Sequence, residues 1–170
     1  MTCEHCGAPL RPDTDRGLFV CDYCGSELLP PAAADGVMIV GDSKFGCPLC
    51  KVKLADAALE SIPLLYCREC HGMFIAMDDL EPLVSSLRVN RDRPATYLAP
   101  RGERDLGRAL HCPRCAAAMD CHAYGGGGNV NIDSCEGCES IWLDSGELRK
   151  IVAAPDHEPV YLNYGDARKQ

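Results

Sequence analysis

Cys-x-x-Cys pairs at Cys3/Cys6, Cys21/Cys24, Cys47/Cys50, Cys67/Cys70, Cys112/Cys115 and Cys135/Cys138 take up twelve of the thirteen cysteines in this 170-residue chain. They fall into three successive couples, with 14, 16 and 19 residues between the two pairs of each couple. Two such hairpins of thiolates close on one tetrahedral zinc at about this spacing. One pair alone is a weak signal, but three couples in register are a strong one. The twelve cysteines are therefore the expected ligands of three structural zinc sites.

The couples divide the chain into units too short for a hydrophobic core to be sufficient. Leu, Ile, Val and Phe together number only 36 of the 170 residues, near the level at which chains stay disordered. Metal supplies the difference, since a site of this kind contributes on the order of 10–16 kcal/mol of binding free energy that is also folding free energy. A disulfide framework needs an oxidising compartment. The first ligand at Cys3 leaves no room for a targeting segment, and no apolar run near eighteen residues is present, so a cytoplasmic, zinc-binding chain is expected. Rubredoxin-like iron also uses two such knuckles, but with the knuckles further apart.

The formal net charge is −8 with every cysteine counted as neutral. Zinc held by four thiolates is a −2 unit, so three sites take the total to about −14. A chain this acidic is a poor partner for phosphate backbones, which are bound by Lys and Arg.

The fold expected is a small metal-stabilised α+β chain of three tandem zinc ribbons, β-hairpins with a knuckle at each end. Ribbon 1 covers residues 1–30, with a turn around Pro12–Gly17 and apolar Leu18–Val20 entering the second knuckle. Gly7 and Gly25 follow the second cysteine of their pairs, where a knuckle turn requires positive φ. Residues 31–43 read as linker, with Val37–Val40 a short strand of unassigned pairing. Ribbon 2 covers 44–90; Leu64–Tyr66 is a strand and Leu80, Leu83, Val84 and Leu87 define a helix face. Pro82 favours Asp79 over Asp78 as the helix cap.

Residues 91–110 form a linker carrying Arg91, Arg93, Arg101, Arg104 and Arg108, a solvated segment or a small cationic patch for an acidic partner. Ribbon 3 covers 111–154. Its strands are Met119–Tyr124 and Val130–Asp133, joined by a flexible glycine turn at 125–129, and a helix ends near Pro155. Asp144 and Glu147 are spaced as a capping box. Residues 155–170 are a tail, expected to be partly disordered or lightly docked.

Ribbons 2 and 3 form an internal repeat: aligning Cys67/Cys70 on Cys135/Cys138 places Phe74 on Trp142, Ile75 on Leu143, Asp79 on Glu147 and Leu80 on Leu148. The order Cys-Pro-x-Cys, hairpin, Cys-x-x-Cys, then Ile141-Trp142-Leu143-Asp144-Ser145-Gly146-Glu147-Leu148 resembles the bacterial zinc-ribbon family named after the ribbon of transcription factor IIB. Ribbon 2 is similar but looser, with Phe74 for the Trp, Ala76 for the Asp and Asp78 for the Gly. Ribbon 1 resembles only a generic short ribbon. The resemblance implies a ribbon fold, bound zinc and a bacterial origin; its name suggests transcription, but a shared fold does not fix function.

With four cysteines at each site no coordination position stays open, so no catalytic zinc is expected. No catalytic residue, small-molecule cofactor site or substrate is evident, and the chain reads as not an enzyme. His5, His71 and His111 lie at knuckles and are expected to donate to thiolates or face solvent. The unpaired Cys121 sits on the apolar face of its strand as a small buried residue, with a reactive thiol or a substitute ligand beside His122 as the alternative. Trp142 is either packed against its own ribbon or an exposed interface anchor. Three functions follow: a protein-interaction or scaffolding module, a nucleic-acid or transcription-associated factor, and a thiol redox or zinc-release switch. The first is favoured, with another protein as the partner, nucleic acid disfavoured by charge, and no membrane.

Overall fold

A computed structural model describes residues 2–13, 16, 18–28, 35–91, 94 and 107–155. The first ribbon is a three-stranded antiparallel sheet of β1 (Arg11–Asp13), β2 (Leu18–Val20) and β3 (Glu27–Leu28). Arg11 pairs with Val20 and Phe19 with Leu28, which brings the Cys3/Cys6 and Cys21/Cys24 knuckles side by side at one end of the sheet.

The second and third ribbons are not separate. They share one seven-stranded sheet, built from β4 (Met38–Gly46), β5 (Lys53–Leu59), β6 (Ile62–Tyr66), β7 (Met73–Ala76), β8 (Asp120–Ala123), β9 (Asn131–Cys135) and β10 (Ser140–Leu143). The spatial order is β4-β5-β6-β7-β10-β9-β8, every neighbour antiparallel. β4 begins inside the stretch read as linker, and the partner of Val37–Val40 is β5.

The seam lies between β7 and β10, where Phe74 pairs with Trp142 and Ile75 with Ile141. Phe74 and Trp142 are also equivalent in the repeat, so the two ribbons meet by a local pseudo-two-fold, as the subunits of an isologous dimer do. Strand alternation then sorts the side chains. Met73, Ile75, Ile141 and Leu143 join Leu80, Leu83, Leu148 and Ile151 in one core cluster beneath the helices α1 (Met77–Val89) and α2 (Glu147–Ala153). Phe74 and Trp142 point the other way, into a second cluster with Leu54, Leu65, Leu110, Met119 and the buried cysteines Cys47, Cys67, Cys112 and Cys135. The sheet thus separates a helical layer from a layer of metal knuckles.

Helix α1 starts earlier than its sequence suggests. Ala76 occupies the N-cap position and no side chain caps it. The Met77 amide donates instead to the Glu139 carbonyl at 2.8 Å, so the neighbouring ribbon does the work expected of Asp79. Pro82 lies inside the helix, on an exposed face, where its missing amide leaves the Asp78 carbonyl without its helical donor. At the other helix, Arg88 donates to the Ile151 carbonyl at 2.9 Å and Arg91 to those of Val152 and Ala154. One cation from the last turn of α1 and one just beyond it therefore finish the C-terminus of α2, where exposed carbonyls and the helix dipole favour positive charge.

The glycine run is a fitted loop rather than a loose tip. A Cβ on Gly127 would lie 2.5 Å from the Ala154 methyl, and one on Gly128 would lie 3.0 Å from the Ile151 backbone. Gly128 also has φ of +111°, which side-chain-bearing residues rarely adopt. Gly128→Ala is expected to cost about 2 kcal/mol in a denaturant titration, from strain and the displaced loop together. Among the described residues no helix is long and apolar enough to cross a membrane.

Candidate metal centres

Five of the six knuckles are built the same way. The amide after the second cysteine donates to the carbonyl of the first, as in Gly7 to Cys3, Gly25 to Cys21, Lys51 to Cys47, His71 to Cys67 and Ala116 to Cys112, at 2.8–3.0 Å; in the sixth the Glu139 amide reaches the Glu136 carbonyl at 3.2 Å instead. That residue turns left-handed in all six knuckles, at Gly7, Gly25, Lys51, His71, Ala116 and Glu139. Glycine signals the turn in the first ribbon, and the other four positions adopt the same backbone without it. The turn points amides at sulfur: Cys50 N–H reaches Cys47 Sγ at 3.3 Å and Cys70 N–H reaches Cys67 Sγ at 3.5 Å.

Three tetra-cysteine clusters result: Cys3, Cys6, Cys21 and Cys24; Cys47, Cys50, Cys67 and Cys70; Cys112, Cys115, Cys135 and Cys138. Within each, the four sulfurs lie within 4.8 Å of one another. A tetrahedron of Zn–S bonds near 2.3 Å has sulfur–sulfur edges of about 3.8 Å. The distances for Cys3–Cys24, Cys6–Cys21, Cys47–Cys70 and Cys115–Cys135 are 3.6, 3.5, 3.7 and 3.6 Å. They fit zinc and are far longer than the roughly 2.05 Å of a disulfide. All twelve expected ligands are brought together, and the thirteenth cysteine belongs to none of the clusters.

The clusters differ in exposure. Cys6, Cys24 and Cys115 are exposed, whereas the second cluster has two buried and two half-buried sulfurs. Hydrogen bonds from the Ser26 hydroxyl, then its amide, hold the Cys24 thiol down to about 6. The Ala117 amide, then the neighbouring thiols, lower Cys115 to about 7.

None of the knuckle histidines joins a cluster. His71 Nδ1 lies 2.6 Å from the Tyr66 hydroxyl, which also donates to Asp35 Oδ2 at 2.7 Å. Burial, then Asp35, raises the Tyr66 phenol well above its ordinary range. Trp142 is wholly buried, so it is core and offers no surface anchor. Its Nε1–H donates to Asp144 Oδ1 at 2.8 Å. The expected capping box is not the N-cap of α2, which begins at Glu147 with Gly146 as its cap; two residues ahead of that cap, the Asp144 amide donates to Glu147 Oε2 at 2.7 Å. Cys121 is half-buried on the edge strand β8, opposite Asp133, whose carboxylate it hydrogen-bonds.

Sequence reasoning missed the role of Arg108, which is neither solvated nor part of a cationic patch but paired inside the third ribbon. Its guanidinium bridges Asp144 and Asp133, the latter at 2.6 Å and with a side chain only 1% exposed. Burial opposes the charge, but the bonds to Asp144 and Asp133 outweigh it and hold the guanidinium protonated. Arg91 is likewise turned inward. Arg93, Arg101 and Arg104, like the tail from Asp156, lie outside the described residues. Arg108→Ala strands a buried carboxylate and is expected to cost about 3 kcal/mol by urea unfolding. Asp133→Asn in the same background should recover much of that loss.

The model of the family described as transcription factor zinc-finger, the ribbon type of transcription factor IIB, matches residues 46–86 and 111–154. The chain belongs to this family. The two matched segments are the two ribbons that share the sheet, and each holds one complete set of four cysteines. β4 lies almost entirely ahead of the first match, so the transcription factor zinc-finger unit is extended here by an added edge strand. Neither the comparison with curated proteins nor that with solved structures gives a match.

Proposed function

We propose that this chain is a protein-interaction module in which zinc is purely structural, and that it is not an enzyme. The observation that carries the reading is the edge strand β8. Among the described residues its outer side has no neighbouring strand, and three of its four residues are exposed. Such an edge suits a partner that adds one strand of its own. Four thiols per cluster support closed zinc sites, with no position for a reacting water. The inward turn of Arg91 and Arg108 removes two of the five linker arginines from any nucleic-acid surface, on a chain whose net charge is already −8.

The test is Ala123→Pro. The Tyr124 amide bonds inward to Val130, so by alternation the Ala123 amide faces the open edge. Proline there blocks strand addition and spares the ladder. Cross-linking in the native host should recover a specific protein with the parent chain and lose it with Ala123→Pro, zinc content being equal. Retention of the same protein by the variant refutes edge recognition. Saturable binding of labelled DNA or RNA that falls steeply between 50 and 200 mM salt would favour the transcription-associated reading instead.

A thiol redox role has one favouring observation, the exposure of Cys6 and Cys24 in the first ribbon. It predicts that mild peroxide releases one zinc equivalent while the buried second site keeps its own; full retention excludes it.

A further inference from the structure

A cavity of about 440 Å³ opens on the helical side of the sheet, at the junction of the two fused ribbons. Its size falls in the range of ligand and side-chain pockets. Leu59, Met73 and Leu87 line it from the second ribbon, and Leu148 and Val152 from the third. Neither ribbon builds it alone, so it is a product of the β7–β10 seam. Its polar rim is uneven. Arg149 stands on the α2 side, and Asp144, which also lines it, already holds Arg108. Asp35 and His71 stand opposite; the Asp35 side chain is one-third exposed and is fixed in place by the buried Tyr66 hydroxyl.

We infer that this cavity receives a basic, apolar-anchored peptide segment of the partner protein, with one large apolar side chain seated between Met73 and Leu148 and a neighbouring Lys or Arg against Asp35. The inference rests on the protein-interaction reading and gives the partner a chemistry. Charge complementarity selects the occupant. The chain is strongly acidic and becomes more so when zinc-thiolate units form, which draws cationic segments and slows acidic ones. The apolar floor supplies what charge alone does not, a desolvated seat for one anchor residue. The aromatic anchor sought in Trp142 is thus replaced by its converse, a socket on this chain for an anchor on the partner.

The test uses the full zinc-loaded chain, labelled with ¹⁵N, and three synthetic pentapeptides. The first has the order arginine-leucine-lysine-phenylalanine-arginine, the second replaces the basic residues by serine, and the third replaces them by glutamate. The basic peptide is expected to saturate and to shift the amides of Leu59, Met73 and Leu148. Val152→Lys, which places a cation in the half-buried wall, should weaken it at least about tenfold. Asp35→Asn should weaken it less and flatten its salt dependence. Zinc content and the remaining resonances report folding of both variants. Equal binding of the serine or glutamate peptide overturns the inference, as does the absence of shifts at these three amides. Loss of native partner capture on Ala123→Pro alongside a silent cavity would sink the cavity and leave the interaction reading standing. If neither responds, both fall.

Discussion

Chelation of zinc from the intact protein is expected to abolish the β-sheet signal and to expose Trp142, the only tryptophan of the chain, to water. Each closed thiolate site contributes on the order of 10–16 kcal/mol of folding free energy, more than the entire net stability of an ordinary domain. The second and third sites should be lost together. Their buried ligands Cys47, Cys67, Cys112 and Cys135 belong to the same apolar cluster as Phe74 and Trp142. Emptying either site removes support from that common cluster. Tryptophan fluorescence followed against released zinc, with a coloured zinc indicator, tests this directly. One cooperative red shift accompanying two zinc equivalents is the expected result. A red shift complete after one equivalent, with the other still bound, would mean that the ribbons hold their metals independently.

Trp142→Ala is expected to cost about 3–5 kcal/mol, toward the upper end because the side chain is fully buried and its Nε1–H holds Asp144. The loss falls on both ribbons at once, since Trp142 lies across the seam from Phe74. Urea unfolding should therefore report one destabilised transition for the sheet, with Trp142→Phe recovering part of the packing but not the bond to Asp144. Gly72 offers a check from the other side. A Cβ there would lie 2.1 Å from Trp142 Cζ2, so Gly72→Ala should destabilise the sheet by displacing the same ring. If Trp142→Ala left the urea midpoint unchanged, the seam would not be the stabilising element described here.

Much of the metal chemistry was legible in the chain. A knuckle is a local structure: its turn, its amide–sulfur bonds and the placement of two thiols depend on about six consecutive residues. That is why all twelve ligands and their partition into three clusters follow from spacing alone. The repeat was legible as well, and the strand-like apolar run Leu64–Tyr66 and the helical spacing of Leu80, Leu83, Val84 and Leu87 placed their elements within a few residues.

What spacing left open is whatever depends on groups distant along the chain. The cap of α1 is a carbonyl of the other ribbon, so Asp79 looked like the cap only because Glu139 is invisible locally. The glycine run looked flexible because its reason, the close approach of α2, lies about 25 residues further on. Arg108 read as solvated because charge patterning says nothing of Asp133 and Asp144.

Zinc binding through four cysteines at each of three places can be read along the chain, because thiolate geometry is short-range. The merging of two of the three ribbons into one sheet emerges only when the chain is folded. An edge strand pairs with whatever complementary edge is presented to it, and the residues that set the choice here, Phe74 and Trp142, stabilise the pairing only when both ribbons are folded and the two side chains can be buried together.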